Sequence, residues 1–290
     1  MPFHVHSHRS VDAFLAAASS FLVAREAEHN LIFGISSSVR TNPELLTDGP
    51  ASFATVTDAD GRIVVATVRT PPYNQVLSCV DHPAAVDALA GALRDEPVPG
   101  VLGPTDAAAR FAAAWADATG LAAHVELVET IYRLERVIPP ARPATGSWRL
   151  VEPRDRDRIA RWLVDFGREA MPESPPIPDP LAAADRWIAG VGRLGYVWVD
   201  HDEVVSLVGA SGETPNGIRI GPVYTPPALR GRGHASSLTA AASADQLGRG
   251  RRFVFLFADL ANPTSNRIYA GLGYEPVCEV TQYRFGDARA

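Results

Sequence analysis

The stretch "YTPPALRGRGHASSLTAAA", residues 224–242, joins a proline pair, a short Arg/Gly loop and a run of small residues that predicts a helix. Backbone N–H groups of such a loop, with the unpaired N–H groups of the helix's first turn, form a concave anion site that the helix dipole favours. Glycine permits the sharp turn and leaves room for a phosphate group. The stretch therefore predicts a phosphate site centred on the backbone from Gly231 to Ser236.

Three well-known phosphate-binding or nucleic-acid-binding patterns do not fit this loop. A P-loop ends in Gly-Lys-Ser/Thr, whereas the chain has Gly233-His234-Ala235. A Rossmann fingerprint has three spaced glycines in the first strand-to-helix turn, and this loop lies deep in the chain with two. An Arg/Gly nucleic-acid segment is longer and disordered, while this one is flanked by regular elements.

The pattern that fits is Arg230-x-x-Gly233-x-Ala235, which resembles the pyrophosphate loop of the GNAT superfamily of N-acetyltransferases, Gln/Arg-x-x-Gly-x-Gly/Ala. An apolar strand follows at 253–258, and then "NPTSNRIYAGLGY", residues 262–274. This second segment resembles the family's Asn-x-x-(Ala/Ser)-x-x-(apolar)-Tyr-x-x-x-Gly-(Phe/Tyr) pattern. The matching positions are Asn262, Ser265, Ile268, Tyr269, Gly273 and Tyr274. The resemblance covers roughly residues 147–285.

The resemblance implies that acetyl-CoA is the acyl donor and that the loop holds its diphosphate. It also implies that the thioester lies at the end of strand 218–225, where a bulge or a splay from the next strand admits the pantetheine arm. Gly221 and Pro222 suit such a bulge. The implied acetyl-CoA-binding residues are Val223, Tyr224, Thr225, Arg230, Gly231, Arg232, Gly233, His234, Ala235, Ser236, Asn262, Ser265 and Asn266.

Catalysis is predicted to depend on Tyr269, which the resemblance makes the general acid that protonates the departing thiolate. The alternative is a packed aromatic on an amphipathic helix. Many family members place an acidic general base on the strand before the loop, but "IRIGPVYT" contains no acid. Glu213, Asp259 and Glu173 are the candidate bases, directly or through water. Asn262 also suits a helix N-cap, because Pro263 follows it.

The order of predicted elements recurs in the two halves of the chain. Each half begins with a helix, continues through antiparallel strands, and ends strand–helix–strand–helix–strand. The Pro-rich segment "IPPARPATGSW" separates them. We therefore expect an α/β (α+β) fold of two GNAT-like domains, 1–138 and 148–290, with a linker at 139–147. Each domain is expected to have a mixed, mostly antiparallel twisted sheet flanked by helices.

The N-terminal half is predicted to be a degenerate domain that does not bind acyl-CoA. Its equivalent loop reads "DHPAA" and has no glycine. The resemblance also places the variable Pro-rich segment 172–180 of the second half beside the acceptor site.

Composition narrows the class of protein further. A net charge of −6 offers no general basic surface for nucleic acid. Cys79 and Cys278 form no disulfide framework or metal spacing, so a cytoplasmic protein is expected. No apolar run reaches the roughly 20 residues of a membrane span. The histidines of "HVHSH", residues 4–8, are expected to be near-disordered, and no metal is expected.

The predicted function is an acetyl-CoA-dependent N-acetyltransferase that acts on an unidentified amine, as a monomer or homodimer. Two alternatives remain open at this level. One is a non-catalytic acyl-CoA-binding or regulatory module. The other is an acyltransferase that uses a different acyl group or acts on an oxygen acceptor.

Overall fold

The computed structural model describes residues 2–43, 48–172 and 175–286. The chain divides into two compact units. Unit 1 comprises Met1–Ile131, Ala258–Ala261 and Val277–Ala290, and unit 2 comprises Tyr132–Phe257 and Asn262–Pro276. Residues 277–290 are therefore part of unit 1, whereas the sequence predicts that they belong to the second domain, 148–290.

The first half of the chain alternates strands and helices from the N-terminus. Its elements are β1 (His4–His8), α1 (Val11–Val23), α2 (Asn30–Thr41), β2 (Ser52–Thr57), β3 (Ile63–Arg69), β4 (Gln75–Leu77), α3 (Pro83–Leu93), β5 (Gly100–Pro104), α4 (Thr105–Thr119) and β6 (Ala122–Leu134).

The second half repeats this order of elements. It contains β7 (Ser147–Leu150), α5 (Arg156–Ala170), α6 (Pro180–Ala189), β8 (Arg193–Asp200), β9 (Glu203–Ser211), β10 (Gly217–Tyr224), α7 (His234–Gly248), β11 (Phe253–Asp259), α8 (Pro263–Gly271) and β12 (Glu275–Gly286). With short 3-10 turns set aside, both halves read β-α-α-β-β-β-α-β-α-β. The order of elements therefore repeats as predicted, but each half begins with a strand and not with a helix.

The strands of each unit form a mixed, mostly antiparallel sheet. In unit 1 the strand order is β1-β2-β3-β4-β5-β12-β6, and in unit 2 it is β11-β10-β9-β8-β7. β4 and β5 pair in parallel, as do β10 and β11, and each of these two pairs is joined by a crossover helix. The last strand, β12, pairs antiparallel with β5 over Val280–Arg284, and this ladder is the reason the chain end belongs to unit 1.

Two local predictions in the first half are wrong. The apolar residues over 11–30 recur at helical spacing, which predicts a single helix, but the helix ends at Val23 and a second one begins at Asn30. The turn between them is held by His29, whose ring bonds the Leu22 carbonyl oxygen at 2.8 Å and accepts from the Cys79 N–H at 3.0 Å. The histidines of β1 are ordered rather than near-disordered, because β1 forms an antiparallel ladder with β2.

Aromatic side chains build a separate core in each unit. In unit 1, Phe111, Trp115 and Phe285 stack on one another. In unit 2, Trp162 and Trp187 pack in a buried cluster with Tyr224, the last residue of β10. Each large apolar side chain removed from water in this way contributes about 1.5–3 kcal/mol. The unit 2 cluster fixes α5 and α6 against the end of β10, where the candidate site lies.

The segment 139–147, predicted as a linker, lies along unit 2. The Ala144 N–H donates to the Ser237 hydroxyl at 2.9 Å, and the Trp198 indole N–H donates to the Thr145 carbonyl oxygen at 2.6 Å. These bonds anchor the segment beside the start of α7.

The helices that the structure describes include none with the length and the apolar composition of a membrane span.

The start of α5 depends on a buried ion pair. Asp155, 4% exposed, accepts from both terminal nitrogens of Arg149 at 2.6 and 2.9 Å and from the Glu152 N–H at 2.8 Å. Burial alone would raise the pKa of Asp155, but the bonds from Arg149 and Glu152 hold it below its ordinary value.

Replacing Asp155 with asparagine is expected to lower the free energy of unfolding by about 3 kcal/mol at neutral pH, because Arg149 loses its charge partner. A depressed carboxyl pKa stabilises the fold above the unfolded-state value of about 4 and ceases to do so as the pH falls through the folded value. The difference between the wild type and Asp155→Asn should therefore shrink at pH 3. Urea unfolding at both pH values checks this, with Asp185→Asn, which breaks an exposed pair with Arg156, as a control that changes little.

Candidate functional site

Strand β10 is irregular where the thioester was predicted to lie. Its ladder with β9 pairs Ile220 with Ala210 and then Val223 with Val208, so that two residues of β10 oppose one of β9. The predicted bulge at Gly221 and Pro222 is therefore confirmed. A Cβ on the opposing Gly209 would lie 2.7 Å from the Gly221 oxygen, so only glycine fits there.

On its other side β10 separates from β11. The parallel ladder pairs Gly217, Ile218 and Arg219 with residues 253–255, and among the described residues it pairs nothing further along β10. The strands therefore splay over the last part of β10, up to Tyr224. The backbone of β10 facing this gap is not used by β11, and it can bond an extended ligand.

The Arg/Gly loop forms the entry to α7. Gly231 and Gly233 have φ values of +77° and +81°, and Gly233 is the N-cap residue. A Cβ at Gly233 would lie 3.4 Å from the Arg142 oxygen, in addition to the strain of its left-handed backbone. Within the part of the chain that the structure describes, no side chain caps α7, and its first backbone bond runs from the Ser237 N–H to the Gly233 oxygen at 3.0 Å. The N–H groups of residues 234–236 therefore point out of the helix, at its positive end.

The side chain of Arg230 is turned away from this helix end. Its Nε donates to the Thr225 carbonyl oxygen at 2.8 Å, and its Nη2 forms an ion pair with Glu169. The guanidinium also lies 5.9 Å from the ring centre of Tyr224. Arg230 thus fixes the turn between β10 and the loop, and Arg232 is exposed.

A carboxylate that the sequence did not single out completes this arrangement. Glu169, near the C-terminus of α5, accepts from the Tyr224 hydroxyl at 3.1 Å as well as pairing with Arg230. Burial and the Glu169 charge raise the pKa of Tyr224 to about 12. No local motif marks Glu169, because it lies 55 residues from Tyr224 and 61 from Arg230 in sequence.

His234 contributes only its backbone to the loop surface. Its side chain is 2% exposed, with Nε2 at 3.5 Å from an Asp200 carboxylate oxygen. Ala235 and Ser236 follow it in the first turn of α7 and are half-buried. Val223 and Thr225 flank Tyr224 at the end of β10, and the Thr225 hydroxyl bonds that of Ser206 at 2.8 Å.

The second motif begins α8 as predicted. Asn262 is the N-cap, its side chain accepts from the Ser265 N–H at 3.1 Å, and Pro263 follows. Asn266 donates from its side chain to the Asn262 carbonyl oxygen at 2.9 Å and accepts from the Tyr132 hydroxyl at 3.0 Å. The oxygen atoms of both asparagine side chains therefore bond within the protein.

Tyr269 lies on α8, with its ring between those of Tyr132 and Tyr274, at centroid distances of 6.4 and 6.0 Å. Burial raises the pKa of Tyr269 to about 12, so the hydroxyl is protonated at neutral pH. The other two hydroxyls have partners, Asn266 for Tyr132 and Ser243 for Tyr274. Within the described part of the chain the Tyr269 hydroxyl bonds no protein group, so its proton is free for a ligand.

One of the candidate bases that the structure describes, Glu213, lies away from this site. Glu213 follows β9 at the end opposite to Tyr224 and pairs with Arg251. Tyr224 pairs with Leu207 and Arg219 with Ser211, so roughly 13 Å of β9 separates the end of β10 from the strand end that Glu213 follows. This position argues against Glu213 as the base. Asp259 belongs to unit 1, where its carboxylate accepts from the Ala261 N–H at 2.8 Å, and Glu173 lies outside the described residues.

Comparison with known proteins agrees with this geometry. A model of the acetyltransferase (GNAT) family matches residues 157–274, and no curated protein matches the chain. A Drosophila protein solved by structural genomics is 14% identical, with a TM-score of 0.70 over 97% of both chains. A tandem GNAT protein from the clavulanic acid biosynthesis pathway is 16% identical, with a TM-score of 0.60 over 100% of this chain and 99% of that one.

A third structure, a GCN5-related N-acetyltransferase from Sphaerobacter thermophilus, is 17% identical, with a TM-score of 0.58 over 99% of this chain and 98% of that one. At such identities the likeness shows the fold, which is that of a two-domain GNAT protein. The family and the fold together support acyl transfer as the general activity. The matched region contains the bulged strand β10, the uncapped start of α7 and the motif on α8. This part of the chain, residues 157–274, is a domain of the GNAT acetyltransferase family.

Proposed function

We propose that the protein is an acetyl-CoA-dependent N-acetyltransferase whose site is built by unit 2. The observation that carries the proposal is the splay of β10 from β11 beside the uncapped start of α7. The splay offers backbone groups to an extended pantetheine arm. The helix start offers N–H groups to a diphosphate, mainly through backbone from Gly231 to Ser236.

In the proposed reaction the amine nitrogen attacks the thioester carbon, a C–N bond forms and the C–S bond breaks. A backbone N–H near Val223–Thr225 polarises the carbonyl oxygen as negative charge develops on it. The hydroxyl of Tyr269 gives its proton to the departing sulfur. A phenol with a pKa near 12 is a weak acid, so the transfer depends on a buried site in which the pKa of the thiol is raised as well.

The proton lost by the amine is proposed to leave through Glu169. Glu169 is bonded to the end of β10 through Tyr224, whereas Glu213 pairs with Arg251. It is 41% exposed, so it can exchange protons with solvent, and its pair with Arg230 fixes its position. A single water molecule can bridge the Glu169 carboxylate and the amine nitrogen, because an ordered water can bond a protein group and a ligand at the same time.

Unit 1 is proposed not to bind acyl-CoA. Its equivalent junction, "DHPAA" at residues 81–85, has no glycine, and just before it the Cys79 N–H is already bonded to His29. The N–H groups of Ser78 and Cys79 are thus used within the protein.

An acetyl-CoA turnover assay tests the proposed function. Purified protein is mixed with acetyl-CoA and a panel of primary amines, and free thiol release is followed together with the mass of the acetylated amine. Amine-dependent thiol release supports the proposal. Binding of acetyl-CoA without turnover on any amine would instead indicate a binding module, and turnover only with another acyl-CoA would indicate a different donor.

Replacing Glu169 with glutamine is expected to lower kcat/KM for the amine on the order of tenfold at neutral pH, with recovery at higher pH where the free amine is already neutral. Glutamine keeps an acceptor for Tyr224 but takes no proton. The matched control is Glu213→Gln, which removes a carboxylate at the far end of β10. pH–rate profiles of both variants decide the assignment, and a loss seen in Glu213→Gln alone would contradict it.

A further inference from the structure

Unit 1 contains a cavity of about 540 Å³ that the acyl transfer site does not use. It is bordered by the segment entering β2, by the turn after β3 and by the loop between α3 and β5. Five prolines form much of its wall: Pro50, Pro71, Pro72, Pro97 and Pro99. The volume lies within the roughly 300–1,000 Å³ of small-molecule sites, and the wall is largely apolar, as such sites are.

A buried arginine lines this cavity. Arg69, the last residue of β3, is 8% exposed. Its Nε donates to the Tyr73 carbonyl oxygen at 3.1 Å. Within the described ranges 2–43, 48–172 and 175–286, neither Nη atom of Arg69 has a hydrogen-bond acceptor and no carboxylate forms an ion pair with it. Arg69 lines the cavity, where these unused N–H donors are available to a ligand.

This guanidinium is in an unfavourable environment as it stands. Burial lowers the pKa of Arg69 below its ordinary value, and the charge of Glu96 only partly opposes this effect. Arginine nevertheless remains protonated in proteins, so the group keeps its charge and its unused N–H donors. A buried cation without a partner costs free energy, and an anion that enters the cavity recovers part of it.

We propose that this cavity binds a small organic monocarboxylate with an apolar body. The two Nη groups of Arg69 match the two oxygens of a carboxylate in the paired geometry that arginine prefers. The proline wall covers the apolar part of the ligand. Asp48 and Glu96 also line the cavity, and their negative charge acts against any anion there, but more strongly against phosphate and other multiply charged anions than against a single carboxylate.

Calorimetric titration of the full-length protein tests the proposal, with benzoate, phenylacetate and hexanoate as probes. We expect saturable binding of at least one of them, no binding of benzamide, which lacks the charge, and weaker binding of inorganic phosphate. Replacing Arg69 with methionine should weaken binding at least about tenfold, because a charge-assisted pair is lost. The control Arg94→Met removes an exposed arginine of the same unit and should bind as the wild type does.

A second variant keeps the test decisive if Arg69→Met folds poorly. Ser52 lines the cavity at an exposed position beside Arg69, so Ser52→Phe fills the cavity while leaving the charge in place. It should abolish carboxylate binding and keep the circular dichroism spectrum of the wild type. Absence of saturable binding of all three probes at millimolar concentration overturns the proposal, as does equal binding of benzamide or unchanged binding by Ser52→Phe.

Discussion

Replacing Tyr269 with phenylalanine is expected to lower kcat by about 100-fold while leaving the KM for acetyl-CoA nearly unchanged. The change removes one oxygen atom and keeps the ring between Tyr132 and Tyr274. Since the Tyr269 hydroxyl bonds no protein group among the described residues, its loss breaks no bond within the fold. Steady-state kinetics with a productive amine provide the measurement.

The neighbouring tyrosine supplies the control for this variant. Tyr274→Phe removes the hydroxyl bonded to Ser243 at 2.8 Å, which is expected to cost roughly 1 kcal/mol of stability but to leave kcat intact. If Tyr269→Phe turned over at the wild-type rate, the hydroxyl would have no part in protonating the thiolate. If both variants lost activity equally, the effect would lie in the packing of the rings.

Replacing Ala235 with glutamate is expected to weaken acetyl-CoA binding by about 100-fold. Ala235 is in the first turn of α7, next to the N–H groups proposed to hold the diphosphate. A carboxylate at a helix start is favourable for the helix, so the fold should be retained. The same charge repels the diphosphate and competes for its donors, and two like charges about 4 Å apart near a protein surface repel by about 4 kcal/mol.

The neutral variant Ala235→Gln separates charge from size. Glutamine fills the same space as glutamate. The difference between the acetyl-CoA dissociation constants of Ala235→Gln and Ala235→Glu therefore measures the effect of the charge alone. That difference should decrease as salt is raised, because exposed charges are screened. Fluorescence or calorimetric titration of acetyl-CoA at two salt concentrations provides the data. Equal affinities of the glutamate and glutamine variants would show that no anion binds at the start of α7.

Several features of the site were predictable because they depend on residues close together in the chain. The Asn262 cap with Pro263 is a matter of three or four consecutive residues, and the structure contains it as expected. The bulge in β10 follows from Gly221 and Pro222, which disturb a regular ladder wherever they occur. The repeat of elements was equally visible, since it requires only the order of helical and strand periodicities.

Other local signals were misleading because a distant partner decided the outcome. The apolar spacing of residues 11–30 is helical throughout, yet the bonds of His29 with Leu22 and Cys79 favour a turn before α2. The N-terminal histidines resemble a disordered end until β2 supplies their hydrogen-bond ladder. Neither partner can be identified from the segment itself.

The sequence by itself determined the Arg/Gly loop, the helix that follows it and the position of Tyr269 on α8, because these depend on backbone conformation and helical spacing within a few turns. Only the tertiary structure decided that Glu169, rather than Glu213, meets the end of β10, and that Arg230 is used by Glu169 and Thr225. It also decided that Arg69 lines a cavity and that, among the residues the structure describes, no acid forms an ion pair with it. The physical reason is that such contacts join residues distant in sequence, and their pairing is selected by the packing of whole strands and helices.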